Sequence, residues 1–429
     1  MHTLAFLEPG HFHAALTLRT ANASVHDEIF VYAEPGRELD DFLALVEAFN
    51  RRAEEPTSWR PVVWTGARPI ERMIAERPGS VVVLAGRNDR KMSAMRRLHD
   101  AGCHVLADKP WLVEPEDLAH LRASLAGWPL VMEIMTGRHD THARVCQALV
   151  GVREVFGDFR AQAPALDQQS VHHLEKLVDG MPLRRPWWFF DVRVQGRGPV
   201  DIPTHLVDQA QWLVEGAGLP LHAPQLLRAR AWPTPVPVGA FCRITGERAF
   251  PPGLRPFVSD DVLEYLGNAE LLYRIGEVTA QLATRWDPSL PAGGADAHRT
   301  LVHGTRADIS LEQGAHTGHR RRVFVRPGHA DGSVAKALTD VVAGGRIGVS
   351  GRVETVGPGL YEVIPTEIDT GHESHFARVL DDFVSTIEER RWPVARAERT
   401  RAKYTFLAEA VARTRADHVM LTRSQESSR

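Results

Sequence analysis

The stretch "SVVVLAG" (80–86) limits the fold more than any other part of the chain. An unbroken apolar strand has no solvent face, so it belongs inside a sheet covered on both sides. Its surroundings repeat one theme. Residues 3–7 read as a strand and "HFHAALTLRT" (11–20) as a helix. "EIFVYAE" (28–34) is a second strand, "ELDDFLALVEAFNRRAEE" (38–55) an amphipathic helix and "PVVWTG" (61–66) a short β-branched strand. After residue 86 come the helix "DRKMSAMRRLHDAG", with Gly102 just past its end, the strand "CHVLADKP", the helix "EPEDLAHLRASLAG" and the strand "PLVMEIM". Strand and helix in steady alternation predict a doubly wound, parallel α/β sheet over residues 1–135.

Beyond about residue 150 the punctuation changes. Proline and glycine crowd "WPTPVPVGAF" (232–241), "FPPGLRPF" (250–257) and "PSLPAGG" (288–294), which read as long loops. Strand-like segments lie between and after them, at 305–313, 322–327 and 359–365. A mostly antiparallel sheet over 136–370 is expected, an α+β arrangement. "AGGRIGVSG" (343–351) lacks the strand–turn–helix setting and Lys-Ser/Thr ending of a phosphate loop, so it reads as a strand-linking turn. Two helices, 373–390 and 395–415, close a third segment, 371–429, expected to pack back on the core, with a frayed polar tail.

Composition excludes several classes. A net charge of −3 gives no basic field for nucleic acid or an anionic membrane. No apolar run is long enough to cross a bilayer, and the first strand begins almost at Met1, leaving no room for a signal peptide. The three cysteines, Cys103, Cys146 and Cys242, form neither a disulfide framework nor a metal pair; they read as small core residues in a reducing cytoplasm.

In an open parallel sheet, ligands lie beyond the carboxyl ends of the strands. The first such end is "LEPGHFH" (7–13). A dinucleotide turn, G-x-G-x-x-G, would carry glycines at 8, 10 and 13; here Glu8 and His13 replace two of them and Gly10 survives. Gly10, His11, Phe12 and His13 are candidate pyrophosphate contacts at a helix N-terminus, against a plain strand-to-helix turn as the alternative. Glu34, ending the second strand, sits where an acid holds a ribose hydroxyl and favours NAD over NADP; Arg37 weakens that preference. Ala85 and Asn88 follow the central strand and join the candidate cofactor contacts. In "HVLADKPW" (104–111), Lys109 ends a strand directly before Pro110, which extends its backbone toward the binding edge. A lysine there hydrogen-bonds a reacting hydroxyl and helps move its proton. In "GRGPVDIPTHLVDQAQWL" (196–213), Asp201 and His205 are four apart and share a helix face, Asp201 as the cap before Pro203. His205 suits a proton acceptor, with Asp201 holding its tautomer; helix cap and core histidine are the competing reading.

Taken together these segments resemble the Gfo/Idh/MocA oxidoreductases, the glucose–fructose oxidoreductase and inositol dehydrogenase group. "VVVLAGRNDRKMSAMRRLHDAGCHVLADKPW" is similar to that family's run into its Glu-Lys-Pro motif, and "GRGPVDIPTHLVDQAQWL" to its glycine-rich stretch before Asp-x-x-x-His. "PGHFHAAL", "HHLEK", "RPWWFFDV" and "DIPTHLVD" resemble the branch with a "putative oxidoreductase C-terminal domain". The resemblance implies a Rossmann domain, an open-faced sheet and NAD(P)-linked hydride transfer at a secondary hydroxyl or ketone of a sugar, glycoside or polyol. It implies catalytic roles for Lys109, Asp201 and His205 and cofactor contacts at Asp108, Lys109 and Pro110, Asp108 standing where the family has glutamate. It makes Thr136 and Arg138, in "EIMTGRHD" (133–140), substrate-side candidates. His172, His173, Lys176, Arg185, Trp187 and Trp188 supply the expected sugar-facing wall, with core packing as the competing reading of the tryptophans.

Three rival readings follow. A redox-neutral, NAD-dependent glycoside-cleaving enzyme would use the same fold. A sugar-binding protein without cofactor would explain the altered turn. A metal-dependent epimerase or isomerase would gather His172, His173, His205 and Asp201; adjacent strand histidines point to opposite faces, so no metal site is expected. An uncovered open sheet predicts a homo-oligomer, dimer or tetramer.

Overall fold

A computed structural model describes residues 1–125, 127–161, 164–178, 181–289, 294–330, 332–367 and 371–426. The chain divides into two compact units: Met1–His139 with Arg193–Gly196 and Thr370–Tyr404, and Asp140–Val192 with Arg197–Asp369 and Thr405–Arg429.

The first unit carries a six-stranded sheet built from β1 (His2–Leu7), β2 (Val25–Ala33), β3 (Arg60–Thr65), β4 (Val81–Leu84), β5 (His104–Ala107) and β6 (Val131–Glu133). Their order is β3-β2-β1-β4-β5-β6, and every pairing is parallel. This is the doubly wound order expected from the alternating pattern, with the apolar β4 buried along its whole length. Helix Arg37–Arg51 buries Leu39, Phe42, Val46 and Phe49, one face at helical spacing. Helix Lys91–Asp100 buries Met92, Met95 and Leu98, and Gly102 follows it at φ +80°. The same core takes in Phe376, Val379, Leu380, Phe383, Val384 and Ile387, from helix Ser374–Glu388. One expectation fails here: the helix read over 11–20 is a single turn, His13–Leu16.

The second unit is built on a ten-stranded sheet. In spatial order its path runs Gln225–Pro237, Val262–Ile275, Val278–Asp287, Leu166–His173, Ala297–His303, Ala307–Gln313, Arg322–Pro327, Leu360–Pro365, Gly351–Gly357. Its pairings are antiparallel except that of Val278–Asp287 with Leu166–His173. The proline-dense start of 232–241 is part of a strand, not a loop. Gln225–Pro237 lies at the end of the path, and its register slips between Trp232 and Thr234, around Pro233. Edges and bulges are the places where proline's missing N–H breaks no ladder. Residues 252–257 form a 3₁₀ turn, and 290–293 of the third expected loop lie outside the described residues. The segment 343–351 leads from helix Ser333–Ala343 into strand Gly351–Gly357, so it joins a helix to a strand. Helix Val394–Glu426 runs past the expected end at 415, and 427–429 lie outside the described residues. Cys103 and Cys146 are buried and Cys242 partly so; burial pushes the Cys146 thiol up to about 12. Among the described residues no helix is long and apolar enough to cross a membrane.

Candidate functional site

In the first unit the turn after β1 is fastened to the ends of β2 and β4. Glu8 N–H donates to the Tyr32 carbonyl at 2.9 Å and His11 N–H to the Ala85 carbonyl at 3.1 Å. The approach is close enough to require glycine at 86: a Cβ there would lie 2.3 Å from the Glu8 carbonyl oxygen and 3.1 Å from the Gly10 nitrogen. The N–H groups of Gly10 and Phe12 donate to no described residue. A pyrophosphate needs such donors, so the residues present fit a dinucleotide at this turn through backbone amides, without two of the three motif glycines. Glu34 is exposed just after β2. Burial, then the neighbouring Glu34 carboxylate, pushes the Glu8 carboxyl up, against Arg90 and Arg87.

Asp108 and Lys109 follow β5. His13 Nδ1 lies 2.8 Å from Asp108 Oδ2 and His11 Nδ1 3.7 Å from it. Burial alone would raise the Asp108 carboxyl; His13, His11 and Lys91 outweigh it and hold the group far below the usual carboxylate range. The structure thus commits Asp108 to His13, which also packs its ring against Phe376 at 4.4 Å.

Lys109 is half-buried, on a turn clamped from both sides. The buried Lys91 Nζ donates to the Asp108 carbonyl (2.8 Å), the Pro110 carbonyl (3.1 Å) and Asn88 Oδ1. Asn88 donates onward to the Gln195 carbonyl at 2.9 Å. Burial pushes the Lys91 ammonium down to about 8. Beyond Pro110, Trp111 N–H donates to the Tyr404 hydroxyl at 3.1 Å, and the two rings stack with centroids 5.4 Å apart. Tyr404 donates to Glu133, whose other oxygen accepts from Lys403 Nζ. Thr136 is buried and Arg138 half-buried on the turn Thr136–His139.

In the second unit Asp201 does not cap the helix. It follows the 3₁₀ turn Gly198–Val200 at φ −80°, ψ −94°, while helix Pro203–Gly216 begins after Ile202 and carries the half-buried His205. Pro203 at the first helical position moves the start one residue past Asp201. A Cβ on Gly198 would lie 2.3 Å from the Asn268 carbonyl oxygen, so the glycine-rich stretch lets this turn press against strand Val262–Ile275.

Asp201 lies within electrostatic reach of His172, Arg185 and Tyr265. Arg185 is buried, donates to the Leu174 carbonyl (3.0 Å) and the His173 carbonyl (3.3 Å), and lies over the Phe189 and Trp286 rings. These two donors hold the strand end. Trp187 is partly buried against the local core, and Trp188, at 0% exposure, is core and no part of a sugar-facing wall.

His172 and His173 do not diverge as a regular strand would send them. His172 Nδ1 is 3.2 Å from Asp296 Oδ2 and His173 Nδ1 3.3 Å from Asp296 Oδ1, because His173 is the last strand residue and Asp296 stands just before the neighbouring strand. Lys176 Nζ reaches Asp296 Oδ2 at 2.7 Å. Two groups among the described residues bring three candidate metal-ligand atoms within 4.8 Å of one another: His11, His13, Asp108 and His172, Asp296, His298. Neither includes His205 or Asp201.

Residues 145–415 match the family described as "Putative oxidoreductase C terminal domain". A protein from Parabacteroides merdae described as a putative oxidoreductase is 33% identical and superimposes with a TM-score of 0.91 over 97% of this chain and 98% of its own. GenD2 from gentamicin A biosynthesis, solved with NAD, gives 14% identity and 0.61 over 97% and 95%. KijD10, a 3-ketoreductase from Actinomadura kijaniata solved with NADP, gives 14% and 0.56 over 96% and 97%. At such low identity these last two show the shared fold. No curated protein matches the sequence. The chain belongs to the family described as "Putative oxidoreductase C terminal domain".

Proposed function

We propose that this oxidoreductase uses NAD or NADP to transfer a hydride at a secondary hydroxyl or ketone of a sugar, glycoside or polyol. The observation that carries the reading is the pair of backbone N–H groups, Gly10 and Phe12, left without an acceptor among the described residues at the carboxyl end of a parallel sheet. GenD2 and KijD10, solved with NAD and NADP, support the cofactor class. When bound, the nicotinamide supplies the hydride acceptor or donor.

The chain's own residues do the rest. Gly10 and Phe12 amides hold phosphate oxygens, and the Glu34 carboxylate accepts from ribose hydroxyls. Lys109 Nζ, on the turn fixed by Lys91, donates to the oxygen of the reacting hydroxyl or ketone. The His205 imidazole takes or returns the hydroxyl proton, and Asp201 orients it or a neighbouring hydroxyl.

Denaturing the purified protein and assaying the supernatant for nicotinamide tests retention; titrating the native protein with NAD and NADP tests exchange. Expected is binding of at least one of them, with Lys109→Ala retaining affinity within a few-fold and losing at least 100-fold in turnover of any sugar substrate found, since the lysine serves the reacting oxygen. No nicotinamide released and none bound sinks the proposal.

A further inference from the structure

One cluster in the second unit is left unused by that mechanism. Ser170 and His172 are two apart on strand Leu166–His173 and so share a face; His298, on the neighbouring strand, pairs in register with Ser170. The Ser170 hydroxyl is 2.8 Å from His172 Nε2 and 2.7 Å from His298 Nδ1. Asp296 Oδ2 closes the row, 3.2 Å from His172 Nδ1. We propose that Asp296, His172, Ser170 and His298 form a proton relay whose open end, His298 Nε2, takes the proton of a carbohydrate hydroxyl. This rests on the proposed reaction for its ligand and gives the single hydroxyl proton a second route, through His298 in place of His205.

The donors fix the direction. Asp296 Oδ1 accepts the His173 N–H at 3.1 Å and Oδ2 the Lys176 ammonium at 2.7 Å, so the carboxylate stays charged. It therefore takes a proton-bearing His172 Nδ1, leaving Nε2 as an acceptor. Ser170 gives its single hydroxyl proton to that Nε2 and accepts from His298 Nδ1–H. His298 Nε2 is then a lone pair, with no hydrogen bond to any described residue. Burial lowers both imidazoles, His298 the more strongly, which keeps the row neutral before it reacts. The ionisable groups within electrostatic reach of it are Lys176, His173, Asp201, Arg185 and Arg321. Ser170 is 1% exposed, so its oxygen serves as a link and not as a nucleophile.

In use, the ligand O–H bond breaks as His298 Nε2–H forms. The Nδ1 proton of His298 moves to Ser170 as the Ser170 proton moves to His172 Nε2, and the positive charge settles beside Asp296. The electron pair of the carbon–hydrogen bond leaves as the hydride of the proposed reaction, and the reverse reaction runs the same shuttle backward.

Full-length protein without added cofactor, labelled with ¹⁵N-histidine, tests the row by nitrogen chemical shifts between pH 6 and 8. Diethyl pyrocarbonate with peptide mapping tests the open lone pair. His172 and His298 are expected as neutral Nδ1–H tautomers, with carbethoxylation at His298 at least ten-fold faster than at His172. Ser170→Ala is expected to redistribute the His298 tautomer and slow its modification at least two-fold, and Ser170→Thr to restore both. His298 found as the Nε2–H tautomer, or tautomers unmoved by Ser170→Ala, would overturn the relay. So would stoichiometric Co²⁺ binding with visible absorption lost in His298→Ala, because a metal would occupy the lone pairs the relay needs. These readouts are independent of nicotinamide: wrong tautomers with intact NAD or NADP binding defeat the relay alone, and right tautomers without nicotinamide binding defeat the proposed reaction alone.

Discussion

Each unit surrounds one carboxylate with two imidazoles and a lysine, and the two arrangements differ in where the lysine lies. Beside Asp108, Lys91 is buried, 2% exposed, and its three donors go to the Asp108 and Pro110 carbonyls and Asn88. Beside Asp296, the Lys176 side chain is 41% exposed and bonds the carboxylate itself. The first lysine is a fastener for the backbone that carries Lys109. The second is a counter-ion at the rim of a row of side chains. Burial of a cation thus separates a device that fixes geometry from one that leaves a group accessible.

The largest effect should separate the two lysines. Lys91→Met orphans three acceptors and is expected to cost about 3 kcal/mol in urea unfolding, whereas Lys176→Met, which removes a half-exposed pair, costs under about 1 kcal/mol. Equal losses would erase the contrast.

Alkaline pH sharpens it. With Lys91 at about 8 in the native state and near its ordinary value when unfolded, the unfolded chain holds the extra proton between about 8 and 10.5. Stability contributed by this group therefore rises with pH across that window, by up to about 1.4 kcal/mol per unit. The difference in urea stability between wild type and Lys91→Met should widen accordingly from pH 8 to 10.

Acid pH acts on the first unit, through two of its histidines. Burial pushes His104 and His139 down to about 4, and His104 Nδ1 accepts the Leu130 N–H at 3.0 Å, as a neutral ring must. The unfolded chain takes up these protons first, so stability falls as pH drops from about 6.5 to 4. His104→Gln, which keeps an acceptor, should remove part of that fall in a pH series of urea midpoints. An unchanged slope would show that the ring is charged or solvated in the native protein.

The architecture was legible because periodicity reports burial: β4 read as a strand covered on both faces, and Leu39, Phe42, Val46 and Phe49 as one helix face. The errors fell where tertiary position overrides local preference. Pro233 and Pro235 suit an edge strand, which no local rule distinguishes from a loop. The chain after His13 leaves its helix after one turn, which the apolar run Ala14–Leu16 conceals. At the candidate site, motif spacing singled out Lys109, Asp201 and His205. It passed over Lys91, Gly86, Glu133, Lys403, Tyr404, Ser170, Asp296 and His298, because each acts on a partner far away in sequence. Lys91 reads as a surface residue on a charged helix, and only the pattern Ser170-x-His172 carried a local sign, since alternate strand residues share a face.

The contribution of helix Ser374–Glu388 to the core around β1 has a consequence for how the protein is made. During synthesis the six strands of the first unit leave the ribosome long before Phe376, Phe383 and their neighbours exist. The strands around β1 are therefore among the last parts of the chain to finish folding, and their apolar sheet face waits for a partner until that helix has been translated.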